Sequence, residues 1–302
     1  MKTFSVLLKR NIKLFFKDKG LFFTSLITPL ILLVLYATFL ANVYRDSLNS
    51  IFTAMGTPLS EDLLNGAVGG QLLSSLLAVS CITVSFCSNM LMVQDKVSGA
   101  RKDLLMSPVK RSTMALSYYA ATTFSTLIIC FIAAVAGLIY IAIIGWYMSF
   151  VDVLLIFLDV IILVTFGTAL SSIINHFLST QGQISAVGSI VSSCYGFICG
   201  AYMPLASFSD GLRGALMFLP GTYGTSLIRN HSLDGVIREM TAQNLPAQAI
   251  KGFKDAIDCN IYFFGEQVSV GVMYAVLIGT VILLVGAYIL INALSNRKSK
   301  GN

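Results

Sequence analysis

Charge is scarce in this chain. Of its 302 residues only 11% are Asp, Glu, Lys or Arg, while 56% are hydrophobic. A soluble domain of this length carries about a quarter charged residues, because its surface must face water. A water-soluble globule is therefore excluded as a class, and a bilayer has to supply the solvent for the apolar surface. Frameworks for covalent or metal chemistry are missing too. Of the six cysteines (Cys81, Cys87, Cys130, Cys194, Cys199 and Cys259), five fall in apolar stretches and no pair has CxxC spacing. They read as small packing residues, not as a disulfide framework or a metal site. No HExxH occurs, and there is no Gly-Lys dipeptide, so a GxxxxGK[ST] phosphate-binding loop is impossible. No small-x-small cleavage site follows the apolar run after Lys19. That run is also longer than a signal-peptide core, so the N-terminus is not expected to be a cleaved leader.

What the chain does have is long apolar stretches, about six of them, at 21–43, 66–93, 112–140, 151–174, 184–203 and 267–294. At 1.5 Å per residue the first extends about 34 Å, enough to cross a hydrocarbon core of about 30 Å. The expected fold class is an all-α membrane protein with six transmembrane helices. Ahead of them, residues 1–20 place Phe4, Leu7, Leu8, Ile12, Phe15 and Phe16 at helical spacing, with Lys9, Arg10, Lys13 and Lys17 elsewhere. This pattern predicts a helix lying in the membrane interface, serving either to meet a cytoplasmic partner or to anchor to anionic lipid. A polar loop is expected over 44–65.

The net charge of +6 raises the question of nucleic acid, but the basic residues lie beside the spans. Orientation in the membrane accounts for them, and no nucleic-acid partner is expected. With the N-terminus in the cytoplasm, that side collects six Lys/Arg before the first span, five in 94–111 and three at the tail, Arg297, Lys298 and Lys300. The six others (Arg45, Arg213, Arg229, Arg238, Lys251 and Lys254) fall outside. Both termini are therefore expected to be cytoplasmic.

Two segments carry more information. The loop Val93–Arg111, VQDKVSGARKDLLMSPVKR, is punctuated by Gly99 and Pro108, which predicts a short helix bounded by turns. Val97, Leu104 and Leu105 could bury against a partner while Lys96, Arg101, Lys102 and Asp103 rim the contact. The segment Met203–Arg229 holds Pro204, Pro220 and the glycines at 221 and 224, which are expected to prevent one continuous span. Non-helical backbone at membrane depth is tolerated only when buried in protein or lining a wet cavity.

Asp95–Lys96, Gly99, Leu104–Leu105, Ser107–Pro108 and Lys110–Arg111 occur in the order found in the loop between the second and third spans of ABC-2 type permeases, which this segment resembles. The Glu-Arg pair usual before the Gly is replaced by Gln94–Asp95–Lys96. Pro204, Leu212, Pro220, Tyr223 and Arg229 likewise match the interrupted segment before that family's last span. The resemblance covers essentially the whole chain as one transmembrane domain, 1–302. It implies an elbow helix (1–20), an ATPase-coupling loop (94–111), a broken re-entrant helix pair (204–230) and an extracellular loop (231–266). It implies coupling through Asp95, Lys96, Gly99, Arg101, Leu104, Leu105 and Pro108, and an exit gate near Pro204, Pro220 and Tyr223. The chain would be the permease of an exporter in a prokaryotic cytoplasmic membrane. It would bind no cofactor itself, with ATP and Mg on a separate ABC ATPase subunit. Its other partners would be membrane lipid and a second permease copy or a sister permease. An amphipathic or lipid-like cargo (drug, lipid, toxin or small peptide) suits such a path.

Small residues at 69, 70, 74 and 75 and at 188, 192, 193 and 196 suit either an inter-subunit interface or packing within one subunit. Asp159 is the one acid well within an expected span, where central placement costs about 2.5–3.5 kcal/mol. A hydrogen bond to a neighbouring helix and a proton-coupling role both account for it. Asp152 is placed at the outer interface. His176 and His231 have no metal partner at helical spacing and are read as bland. A stand-alone proton- or ion-coupled carrier is the alternative function, but intramembrane charge is scarce and no inverted repeat is evident. An intramembrane enzyme lacks a second acid to pair with Asp159 and a Ser/His pair within the spans.

Overall fold

The computed structural model describes residues 2–298 apart from 55 and 58. Arg297 and Lys298 are described as helical backbone only, and Lys300 lies outside the described residues. Among the described residues the regular structure is helix throughout, apart from one two-stranded hairpin.

Helix α1 (Lys2–Lys17) buries Leu7, Asn11 and Phe15, one stripe at a spacing of four, mainly against α7 (Arg111–Ile144). Asp18 then caps α2 (Lys19–Leu35), its carboxylate accepting from the Leu21 amide at 3.1 Å. Pro29 lies inside α2. A π-helical turn (Tyr36–Leu40) leads without a break into α3 (Ala41–Ala54). Residues 44–54 are thus helical where a polar loop is expected. The reason is again a stripe of spacing four: Tyr44, Leu48 and Phe52 are buried, and Phe52 meets Phe253 with ring centroids 5.6 Å apart.

The centre of the bundle is α4 (Glu61–Ser88), buried almost throughout and ringed by α2, α7, α8 (Phe150–Phe177), α9 (Gln181–Ile198) and α11 (Pro220–Ala242). The short helices α5 (Met90–Val97) and α6 (Ala100–Met106) lead from α4 to α7. Beyond α9 come α10 (Asp210–Leu216), α11, α12 (Ala247–Ala256), the antiparallel hairpin β1 (Tyr262–Phe263) and β2 (Glu266–Gln267), and α13 (Val270–Lys298). Among the described residues, five helical stretches are long and apolar enough to cross a membrane, at 19–53, 61–97, 111–144, 150–177 and 270–294. Helix α9 has 18 residues, so it extends about 27 Å. Its Gln181 and Gln183 and its serines leave it less apolar than those five.

The stretch between α9 and α13 divides differently from the expected boundary at residue 230. Helix α11 runs through that boundary for 23 residues and packs against α4, α8 and α13. Pro220 starts this helix: at the first helical position a missing N–H leaves no bond unmade. Gly221 and Gly224 lie inside it, and each meets a close neighbour, Tyr195 and Leu163 respectively. The interruption falls at residues 217–219. Gly70 of α4 and Gly235 of α11 serve similar approaches. A Cβ on Gly70 would stand 2.7 Å from the Ser232 carbonyl oxygen, and one on Gly235 would stand 2.0 Å from that of Tyr147. The small residues 69 and 70 therefore pack within the subunit, whereas much of α9 faces outward.

Gly235→Ala is expected to lower stability by about 1–3 kcal/mol, because backbone must move to admit the methyl group. Gly279→Ala, which meets nothing within 4 Å in α13, should be neutral or stabilising by about 0.5–1 kcal/mol. Thermal unfolding of the reconstituted protein checks the pair, and equal melting temperatures would contradict the close packing of α11.

Candidate functional site

Two groups of polar side chains organise the bundle, one at each end of α8. At its C-terminal end lies the segment Val93–Arg111. Asn89 ends α4, and its side-chain amide donates to Ser171 Oγ and Ser172 Oγ of α8, both at 3.0 Å. Gly99 has φ +85°, a left-handed turn that separates α5 from α6 and favours glycine. Asp95 is buried and accepts two bonds from Arg10 of α1, at 2.6 and 3.1 Å, and one from the Tyr118 hydroxyl of α7. The hydrogen bond to Asp95 raises the Arg10 pKa above its ordinary value. Lys96 Nζ donates to the carbonyl oxygens of Asn175 (3.0 Å), His176 and Leu178 (3.1 Å). A cation there satisfies acceptors that the last turn of α8 leaves open.

Asp95 and Lys96 are thus engaged by their own chain and fasten the segment to α1, α7 and α8. Leu104 and Leu105 are half-buried against the cluster that holds Leu7, Met92 and Met114. Arg101 is half-buried, and Pro108 is exposed. The apolar side chains that the segment presents outward are Val97, 52% exposed, and Met106, 89% exposed.

At the opposite end α11 runs antiparallel to α8, and two contacts set its register. The Asp159 carboxylate lies 2.6 Å from His231 Nδ1 and accepts from the Tyr274 hydroxyl of α13. Two turns along, Arg238 donates to both oxygens of Asp152, at 2.5 and 3.3 Å, and also to Asp234. The bond to Asp152 raises the Arg238 pKa. Asp152 in turn closes a capping box with Ser149 at the start of α8. Between α11 and α4 sits Arg229, with no exposed side-chain surface. It donates to the carbonyl oxygens of Ile257 (2.8 Å) and Gly200 (2.9 Å), and pairs with Asp258 at 3.3 Å. Burial pushes the Asp258 carboxyl above its usual range, which Arg229 opposes. It also pushes the Cys259 thiol up to about 12, which leaves that cysteine unreactive.

The break at 217–219 is closed from within α11. Thr222 Oγ1 donates to the Leu216 carbonyl (3.0 Å), and the Tyr223 hydroxyl donates to that of Met217 (2.7 Å). Pro220 and Tyr223 therefore belong to one helix start, while Pro204 lines a separate pocket of about 170 Å³ with Tyr44, Tyr202 and Ile257. His231, read as bland, proves to be the partner of Asp159. A trace of this is in the sequence: Asp152 and Asp159 are seven residues apart, and so are His231 and Arg238. Complementary residues at matching two-turn spacing mark two helices that face one another. Among the described residues, no group of three or more His, Cys, Asp or Glu is placed to hold a metal ion.

Asp159→Ala leaves His231 and Tyr274 facing a buried void and should cost about 3 kcal/mol or more, whereas Asp159→Asn keeps the shape and one acceptor and should cost much less. The two variants are compared by thermal unfolding in nanodiscs. Equal small effects would show that the α8–α11–α13 contact does not hold the bundle together.

In comparisons with known proteins, a family model described as ABC-2 type transporter matches residues 2–231. No curated protein and no solved structure matches the chain.

Proposed function

The chain belongs to the ABC-2 type transporter family, and from this premise we propose that it is the permease of an exporter driven by a separate ABC ATPase subunit. As a membrane domain of that family it is a transport subunit, and its helices make it a multi-pass membrane protein. The proposal goes further. ATP and Mg are bound by the partner ATPase, which docks against α5 and α6 at the cytoplasmic face. Both termini lie on that side of a prokaryotic cytoplasmic membrane. Two permeases, identical or sister chains, line one path for an amphipathic or lipid-like cargo.

The observation that carries this reading is the construction of the segment 94–106. Its first acid, Asp95, and its first lysine, Lys96, are bonded inward to three other helices, which holds the segment to the bundle. Its exposed apolar tip, Val97 and Met106, is left for a cleft in another protein. A lever of this kind passes on displacement where a flexible loop would absorb it. The orientation is supported by the basic residues on the other side. Arg213, Arg229 and Arg238, three of that side's six, are held in ion pairs.

Co-purification with an ATPase encoded beside this chain tests the pairing. Replacing Val97 and Met106 together by Glu should reduce ATPase association at least about tenfold, with insertion and thermal stability unchanged. Undiminished association would place the docking contact elsewhere. Failure of the wild-type chain to bind any ABC ATPase would favour a stand-alone carrier.

A further inference from the structure

One cavity, of about 640 Å³, is lined in part by Met217 and Asp258, whose contacts are described above. It opens between α10 and the hairpin β1–β2, on the side of the bundle away from α6, and is of a size to hold a small organic molecule. Its floor is Leu205 and Met217, and its wall is the run Tyr262–Phe263–Phe264. Phe263 and Phe264 stack edge-on with centroids 4.7 Å apart, and both rings also meet Phe218, Phe263 at 5.2 Å and Phe264 at 6.1 Å.

The hairpin holds this wall in an unusual way. Its two turn residues, Phe264 and Gly265, both have positive φ, +49° and +87°. Asn or Asp followed by Gly is the ordinary choice for such a turn, and a bulky aromatic in the left-handed region is strained. The strain keeps an aromatic ring at the cavity mouth, where it is 85% exposed. A polar residue would satisfy the turn better, so the fold alone does not account for this ring.

The charges around the cavity differ in how they are matched. Asp210 pairs with Arg213, and Asp258 pairs with Arg229. Asp255 has neutral partners: its Oδ1 accepts from Asn260 Nδ2 at 2.7 Å and from the Tyr262 hydroxyl at 3.0 Å. Those two bonds fix the carboxylate beside the aromatic wall, and among the described residues no basic side chain forms an ion pair with it. A carboxylate held among aromatic faces is the arrangement that recognises an organic ammonium group, and the apolar floor suits the chain such a group carries.

We propose that the cavity between α10 and the hairpin is a binding site for amphiphiles with a cationic, ammonium-type head, the head lying against Asp255, Tyr262 and Phe264 and the apolar part on Leu205 and Met217. On the transport function proposed above, this is a station on the outer side of the path, and it narrows the cargo from amphiphiles in general to cationic ones. The site uses only this chain, so binding needs neither ATPase nor transport.

The test uses the full chain in dodecyl maltoside micelles, which carry no ammonium group, with empty micelles as the blank. Saturable binding of radiolabelled hexyltrimethylammonium is measured, with unlabelled hexyl sulfate as competitor. Binding above the blank is expected, with no competition by the sulfate. Asp255→Asn, which keeps the shape and the accepting oxygen, should weaken it about tenfold or more. Phe264→Leu, which keeps apolar area but removes the π face, should weaken it several-fold. Both variants are checked for an unchanged melting temperature, and should one not fold, the other and the wild-type competition still decide. The assignment is overturned by binding no greater than the blank, by equal displacement with hexyl sulfate, or by full affinity in folded Asp255→Asn. Any of these with ATPase association intact removes the cavity site alone. Loss of association with the binding intact removes the exporter reading alone.

Discussion

A guanidinium with no route to water has to be satisfied by protein alone, and Arg229 is in that position. Leaving it short of partners would cost more than a single hydrogen bond contributes, because an uncompensated buried charge bears its full desolvation penalty. Its partners come from three parts of the chain: Ser74 of α4, the Gly200 carbonyl after α9, and Ile257 and Asp258 after α12. Two connecting segments are thereby drawn onto the central helix. The rest of that end of the molecule, including α10 and the hairpin, is built on those segments. Asp258 also accepts from the Leu205 amide at 2.8 Å, so the same carboxylate that balances Arg229 sets the floor of the large cavity.

The same logic extends along α8. Its two acids would be expensive in a hydrocarbon environment, and each is met by a residue of α11, His231 or Arg238. Since the pairs are two turns apart on both helices, they allow a single register of α11 on α8. The glycines of α11 then bring its backbone against Leu163 and the turn at Tyr147. Close approach and ion pairing are mutually dependent here: without Gly235 the helix could not come near enough for Arg238 to reach Asp152.

How much of this was legible in the sequence follows from which physical signal each part leaves. Long apolar runs leave a strong one, so the helical membrane class and the family could be read from residues alone. So could the need of Asp159 for a partner, because a lone acid in an apolar run requires one, but not that partner's identity, since His231 reads as bland. The helix over 44–54 was missed because its polar residues mask a narrow buried stripe, Tyr44, Leu48 and Phe52, which faces other helices of the same subunit. Helix α11 was cut at residue 230 because Pro220, Gly221 and Gly224 carry the composition of a breaker. In place they are a helix start and two packing sites, a distinction that depends on neighbours distant in sequence. Leu104 and Leu105 looked free for a partner because the sequence does not show that α1 and the cluster around Leu7 lie beneath them.

Under the proposed function these contacts also bear on how a push from an ATPase would be received. Asn89 and Lys96 bind the α4–α5 junction and the C-terminal end of α8 into one unit, and Asp95 adds α1 and α7 to it. Helix α8 carries Asp152 and Asp159 at its other end, and these hold α11, which carries Arg229. An unbroken series of polar contacts therefore runs from the segment 94–106 to the floor of the cavity. Contiguity is not coupling: transmission also requires an element with two arrangements that both ends bias. The stretch at 217–219 is the natural place to look for it. There Thr222 and Tyr223 of α11 bond the carbonyl oxygens of Leu216 and Met217 across the gap to α10, and Met217 also lines the cavity, so these two bonds link the start of α11 to the cavity floor.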